Sequence, residues 1–127
     1  MKIAVAGGTG KTGRKVVEHL HSQGHHPVIL ARAHGVDLIQ NTGLDAALDG
    51  VEAVIDVSDF ATMNAKKAQA SFGAATTNLL AAAQRNGVRH HVTLSIIGID
   101  RATSGYYQGK LRQEEVVKAG AVPWTIL

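Results

Sequence analysis

Cysteine is absent from the 127 residues, which excludes disulfides, thiolate nucleophiles and cysteine-based zinc sites. Aromatic side chains are scarce, at 4%, and the basic residues are scattered rather than striped. The chain therefore offers no stacking platform for single-stranded nucleic acid, and none is expected as a partner. No apolar run approaches a membrane span or the core of a secretory leader. Met1-Lys2-Ile3 leads straight into a short apolar stretch, which makes the cytoplasm the expected compartment and leaves no role for a membrane. Charge is modest too: 18% of residues are charged and the net charge is +3, a mild positive field that suits a phosphate-rich ligand. There is no internal repeat and no low-complexity tract. What remains, with 45% hydrophobic residues, is enough for one domain with a proper core.

The most informative stretch is Ile3-Ala4-Val5-Ala6-Gly7-Gly8-Thr9-Gly10-Lys11-Thr12-Gly13. An apolar run enters a glycine cluster, and the cluster enters a helical pattern. Bare backbone in such a turn lets a phosphate approach closely, and the following helix N-terminus presents unpaired N–H groups to it.

Beyond it the pattern alternates. Ile3 to Ala6 reads as a buried strand, and Lys11 to Ser22 as a helix with Val16, Val17 and Leu20 on one face and Gly24 as its stop. Pro27 opens a second strand, Val28 to Ala31, ending at Arg32. Val36 to Ile39 reads as a short third strand, and Leu44 to Leu48 as a brief helix capped by Thr42 or Asn41. Val51 to Val57 is the next strand, followed by a polar loop from Ser58-Asp59. A helix over Gly73 to Arg85 is stopped by Asn86-Gly87. Val92 to Ser95 gives a fifth strand, Tyr106 to Lys118 a helix preceded by Ser104, and Pro123 to Leu127 a sixth strand. Strands and helices alternating at this spacing specify an α/β doubly wound Rossmann fold, a parallel sheet of six strands in order 3-2-1-4-5-6 with helices on both faces.

Two phosphate cradles compete for the glycine stretch. A nucleotide-triphosphate P-loop needs a glycine five positions before Gly10, and Val5 stands there. The variant Lys-Gly-Gly-x-Gly-Lys-Thr of partition-type ATPases is resembled more closely, with Ala6 in place of the leading lysine and Asp56 as the strand-end aspartate for magnesium. Against it, Gly13 adds a glycine in the first helical turn, which close helix–strand packing in a dinucleotide fold explains. Arg32 also lies about 20 residues beyond the turn, where such folds read the ribose 2′ position. An acidic residue there favours NAD; an arginine suits the extra phosphate of NADP. Lys11 and Arg14 add positive charge nearby. NADP(H) is therefore the expected cofactor, with NAD(H) second. Gly7, Thr9, Gly10, Lys11, Thr12, Gly13 and Arg32 are its expected ligands.

Tyr106 and Lys110 stand i, i+4 on the same helix face. A neighbouring ammonium favours a phenolate, so Lys110 is expected to bring the Tyr106 pKa down toward the working range. Ser95 ends a strand on the sheet edge where open α/β folds bind ligands. Tyr107 is expected to face the core, with Leu111 at i+4, although an exchange of roles with Tyr106 stays open. Gly109 inside the helix marks close packing, against cofactor or sheet.

With these residues in view, the chain resembles the short-chain dehydrogenase/reductase superfamily, in its atypical, NmrA-like NAD(P)-binding branch. The resemblance runs from Met1 to Leu127. It rests on the glycine stretch, Asn78-Leu79-Leu80-Ala81-Ala82-Ala83, Gly87-Val88-Arg89-His90 and Val122-Pro123-Trp124-Thr125-Ile126-Leu127. It implies that Ser95 polarises a carbonyl, that Tyr106 relays the proton, and that Lys110 holds the nicotinamide ribose and tunes the tyrosine. Val57 and Ser58, with Asp59 and Ile96, would line the cofactor groove, and Gln40-Asn41 stand where such folds often place an aspartate near the adenine. The implied activity is NADP-preferring reduction of a small carbonyl or quinone-like substrate. A non-catalytic, redox-sensing regulator is the alternative, and a P-loop ATPase a distant third. The resemblance further implies a C-terminal portion beyond the sixth strand. The expectation is a shortened product, a protein that binds cofactor without turnover, or a homodimer or partner protein covering the open site. The histidines at 19, 21, 25 and 26 lack a carboxylate at ligand spacing, so no metal site is expected; surface or helix-end roles are.

Overall fold

The computed structural model describes residues 1–96, 98 and 104–127. Its elements are β1 (Lys2–Ala6), α1 (Lys11–Ser22), β2 (His26–Leu30), a 3-10 turn (Arg32–His34), α2 (Leu44–Ala47), β3 (Ala53–Asp56), α3 (Ala65–Arg85), β4 (His90–Thr93), α4 (Gly105–Ala119) and β5 (Trp124–Ile126). The strands form one parallel sheet of order β2-β1-β3-β4-β5. The expected α/β Rossmann architecture is present, with five strands rather than six among the described residues.

The missing strand is the one expected over Val36 to Ile39. Val36 and Leu38 are buried, at 4% and 9% exposure, but as a loop plugged into the core, while Ile39 is left exposed. Asp37 explains the difference. Its carboxylate accepts from the amides of Ile39 and Gln40, both at 3.0 Å, and leaves only an isolated antiparallel bridge to Thr42. The carbonyls of Leu38 and Ile39 are taken by the Asn78 side chain, at 2.8 and 3.2 Å. No side chain caps α2: Gly43, at φ 76, is its N-cap, so Thr42 and Asn41 do not act as expected there.

β1 lies between β2 and β3, pairing Ala4 with Val28 on one side and Val54 on the other. It is therefore the strand at which the winding direction changes, and the crevice beyond its C-terminal end is where such sheets take ligands. α3 begins two turns before the expected Gly73, capped by the Asn64 side chain, which accepts from the Lys67 amide at 3.0 Å. Ala68, Phe72, Ala75, Leu79 and Ala83 bury its inner face. α4 crosses it at Gly109, where a β-carbon would stand 2.6 Å from the Phe72 ring and 2.7 Å from the Ala68 methyl. The close packing expected at Gly109 is thus against α3, not against cofactor or sheet. Among the described residues no helix is long and apolar enough to cross a membrane.

Candidate functional site

The glycine turn sits on the end of β1, and its glycines have different reasons to be there. Gly7 adopts φ +80, and a β-carbon on it would lie 2.7 Å from the Ser58 backbone. A β-carbon on Gly13 would lie 1.9 Å from the Gly7 carbonyl oxygen, so α1 is seated on the turn at closest approach. Gly10 is exposed, and its β-carbon would meet only the Gly7 oxygen, at 3.3 Å. No side chain caps the start of α1 and no acidic residue occupies its first turn. The unpaired N–H groups and the positive helix end therefore face an open groove, which is the arrangement a diphosphate requires.

That groove has two adjoining halves. The first, a cavity of about 420 Å³, is lined by Gly7, Thr9, Gly10, Lys11, Thr12 and Gly13 on one wall and by Val57, Ser58, Asp59, Ser95, Ile96, Tyr106 and Lys110 on the other. The second, about 430 Å³, shares Gly7, Thr9, Ser58 and Asp59 and continues over Ala31, Arg32, Val36, Leu38, Gln40 and Phe60. The structure thus brings every expected cofactor and catalytic residue to one continuous groove at the sheet's winding switch. Arg14 and Asn41 line neither half; Asp37, not expected there, lines the second. Arg32 is exposed and, among the described residues, makes no ion pair.

The acid–base groups differ from expectation in their pairing. Tyr106 donates its phenol to Asp59 Oδ1 at 2.7 Å. Burial, together with that carboxylate, pushes its pKa up rather than down. Lys110 does not reach the phenol. Its ammonium donates to the Leu94 carbonyl at 2.8 Å and to Gln113 Oε1 at 2.6 Å, and lies 5.1 Å from the centre of the Phe72 ring. Burial holds the lysine below its ordinary range, opposed by the carboxylates of Asp56, Asp59 and Glu114. Tyr106 faces the groove and packs edge-on against Phe72, with ring centres 5.9 Å apart. Tyr107 is half-buried rather than in the core, and does not line the groove.

Ser95 donates to Glu114 Oε2 at 2.5 Å. Beneath it, Asp56 is 2% exposed and accepts from the Ser58 amide and hydroxyl, at 3.0 and 2.6 Å, and from Gln113 Nε2 at 3.1 Å. Asp56 is therefore engaged inside the protein, away from the magnesium role considered for it. Sequence reasoning missed Phe72, Gln113 and Glu114. The last two were findable, since they follow Lys110 at i+3 and i+4 on the same helix face.

His91 of β4 is fully buried beside this cluster, with Nε2 2.8 Å from Thr93 Oγ1 and no partner for Nδ1. Burial lowers its pKa, so the folded chain keeps it neutral while the unfolded chain protonates it near pH 6.5. The unfolded state then binds more protons as pH falls, and stability falls with it. As pH falls through the unfolded-state value near 6.5 the unfolding free energy should drop, with ~1.4 kcal/mol per pH unit as the ceiling for one proton, and His91→Gln should flatten that slope. Urea melts on both sides of that value test this; an unchanged slope in the variant would acquit His91.

Comparison with known proteins agrees with this geometry. A family model described as NAD(P)H-binding matches residues 7–127. A short-chain dehydrogenase/reductase superfamily protein from Agrobacterium tumefaciens, solved with bound NAD, is 28% identical. It superposes with a TM-score of 0.77 over 99% of this chain and 48% of its own. A UDP-N-acetylglucosamine 4-epimerase from Bacillus cereus has the same fold, at 24% identity and TM-score 0.83, over 99% of this chain and 58% of its own. Photosystem II assembly factor Ycf39 of Synechocystis is 29% identical over 111 residues, which is 76% of this chain and 34% of that protein. The chain spans between 34% and 58% of the length of these relatives.

Proposed function

As the chain belongs to the NAD(P)H-binding family of the short-chain dehydrogenase/reductase and epimerase superfamily, we propose that it is an NADP-preferring oxidoreductase that reduces a small carbonyl or quinone-like compound. The observation that carries this reading is that Ser95, Tyr106 and Lys110 share one cavity with the glycine turn. The amides of Thr9, Lys11 and Thr12 and the positive end of α1 hold the diphosphate, and Gly10, whose own amide is given to the Gly7 carbonyl, makes room for it. Arg32 takes the 2′-phosphate, in the half of the groove that receives the adenosine. Val57, Ser58 and Lys110 line the half that receives the nicotinamide. When bound, the cofactor supplies the hydride.

The chain's own residues supply the proton and the orientation. Tyr106 is kept protonated, which suits a group that must give its proton to a developing alkoxide. To do so it exchanges Asp59 for the substrate oxygen, while Asp59 remains beside it as the route for reprotonation. Ser95, turning its hydroxyl from Glu114, donates to the same oxygen.

A second reading is favoured by the same two contacts. Both hydroxyl protons are already given to carboxylates, as suits a protein that binds the cofactor in a redox-sensing, NmrA-like manner without turnover. Calorimetric titration with NADPH, NADH and Mg-ATP, followed by NADPH oxidation assays with a panel of carbonyls and quinones, separates the two. The oxidoreductase reading expects tighter NADPH than NADH binding, and oxidation with at least one substrate class. NADPH binding without oxidation across the panel replaces it with the regulator. Mg-ATP binding without NADPH binding removes both.

A further inference from the structure

The ammonium of Lys110 has three N–H donors, and two are occupied inside the protein, by the Leu94 carbonyl and by Gln113 Oε1. One is left for the groove. Which way that last donor points depends on Gln113, because an amide offers an acceptor at one end and donors at the other. Nothing in Gln113 itself fixes its orientation; Asp56 does. As a carboxylate, Asp56 is an acceptor only, so it takes the Nε2 end at 3.1 Å and leaves Oε1 for the lysine. Asp56 is in turn fixed through its other oxygen by the Ser58 amide and hydroxyl. Exposure along the line is 5% at Lys110, 0% at Gln113 and 2% at Asp56, so bulk water cannot substitute for a lost partner.

We propose that Gln113 and Asp56 are positioning residues for Lys110: a buried polarity relay, running from Ser58 through Asp56 and Gln113, that aims the lysine ammonium into the cofactor groove. Neither residue lines the groove. The proposal rests on the reading of Lys110 as a cofactor-site residue, and its test is chosen so that the two can fail separately.

Polarity gives the relay a signature that shape alone does not have. Asp56→Asn puts an amide NH₂ where an acceptor was. Gln113 must then turn over, presenting Nε2 to the ammonium, donor against donor. Gln113→Glu sets a second carboxylate against Asp56, acceptor against acceptor. The double variant restores complementarity with the direction inverted. The new amide donates to the new carboxylate, which still accepts from Lys110, and the net charge of the line equals that of the native one. All these side chains are close to isosteric with the originals.

The experiment measures the variants in two ways. The Lys110 side-chain NMR signal is titrated without cofactor, and NADPH affinity is measured by calorimetry at a temperature where circular dichroism shows every variant folded. Asp56→Asn should move the lysine titration down and Gln113→Glu should move it up, with the double variant close to the native chain. Each single variant should weaken NADPH binding about tenfold or more, and the double should recover to within about threefold. Additive losses in the double variant, or a Lys110 signal indifferent to the singles, would overturn the relay. If a single variant does not fold, Gln113→Met removes the relay without adding charge. It should weaken NADPH binding about tenfold and should not be rescued by Asp56→Asn. If the native chain binds no NADPH, the proposed function fails, while the inverted-polarity pattern in the lysine titration still decides the relay.

Discussion

Gly13→Ala is expected to lower the stability of the chain by about 3 kcal/mol or more, a fall in Tm of roughly 10 °C, while Gly10→Ala leaves the melting curve nearly unchanged. Both glycines belong to the same motif, and both substitutions add one methyl group to the first turn of α1 or its cap. What differs is the neighbour that methyl meets. At Gly13 the β-carbon would stand 1.9 Å from the Gly7 oxygen and 2.7 Å from the Gly7 carbonyl carbon and Gly8 Cα, all of them backbone. No rotamer change relieves such a contact. The turn is also held from behind, the Gly7 amide donating to Leu30 at 3.3 Å and its carbonyl accepting from the Gly10 amide at 3.0 Å. Relief therefore requires lifting α1 from the sheet. The gain in helix propensity on replacing glycine by alanine, about 1 kcal/mol, offsets only part of that cost.

At Gly10 the same methyl group meets one oxygen at 3.3 Å and otherwise faces the groove. A shift of a few tenths of an ångström accommodates it in the empty chain. In the complex proposed above it stands where a phosphate approaches, so the loss is expected in binding, with NADPH affinity down about tenfold. Thermal melts and calorimetry on the two variants separate a glycine that packs from one that makes room. A Gly13→Ala chain melting within about 2 °C of the parent would show that the turn yields, and would remove the packing argument.

The sequence alone does not separate these glycines, and the reason shows how far its signals reach. Periodicity and the position of glycine report on local conformation, so β1, the full span of α1 and the winding order were legible. They fail where a long-range partner decides. Val36 to Ile39 has the composition of a strand, but Asp37 and Asn78 take its hydrogen-bonding groups and leave a loop. The first two turns of α3 bury only Ala68 and Phe72 among lysines and glutamine, a pattern too sparse to mark a helix until α4 packs on it at Gly109. In the site, residue identity and strand-end position were enough to bring Ser95, Tyr106 and Lys110 to one groove. The direction of the Tyr106 pKa was not legible, because the i, i+4 rule says that two side chains share a face but not which partner each selects. Lys110 selects Leu94 and Gln113, and Tyr106 selects Asp59.

Arg32→Asp is expected to weaken NADPH binding by about 100-fold and to change NADH binding by less than about threefold. Arg32 opens the 3-10 turn directly after β2, beside the groove half that contains Leu38 and Gln40. It is exposed and, among the described residues, has no carboxylate partner to compete with a ligand. A charge-assisted contact to a phosphate contributes about 1.5–3 kcal/mol, which sets the size of the expected loss, and reversing the charge adds repulsion to it. NADH carries a hydroxyl in place of that phosphate, and an aspartate accepts from a hydroxyl, so NADH binding is preserved. Because the guanidinium is exposed, salt should narrow the preference for NADPH proposed for the native chain, while the variant's weak preference should respond little. Calorimetric titration of both nucleotides at low and high salt measures all of this on one protein. Equal losses for the two nucleotides would take Arg32 off the 2′ position and leave the glycine turn as the basis for binding, with no preference between them. The predicted split instead ties cofactor choice to a single side chain at the end of β2.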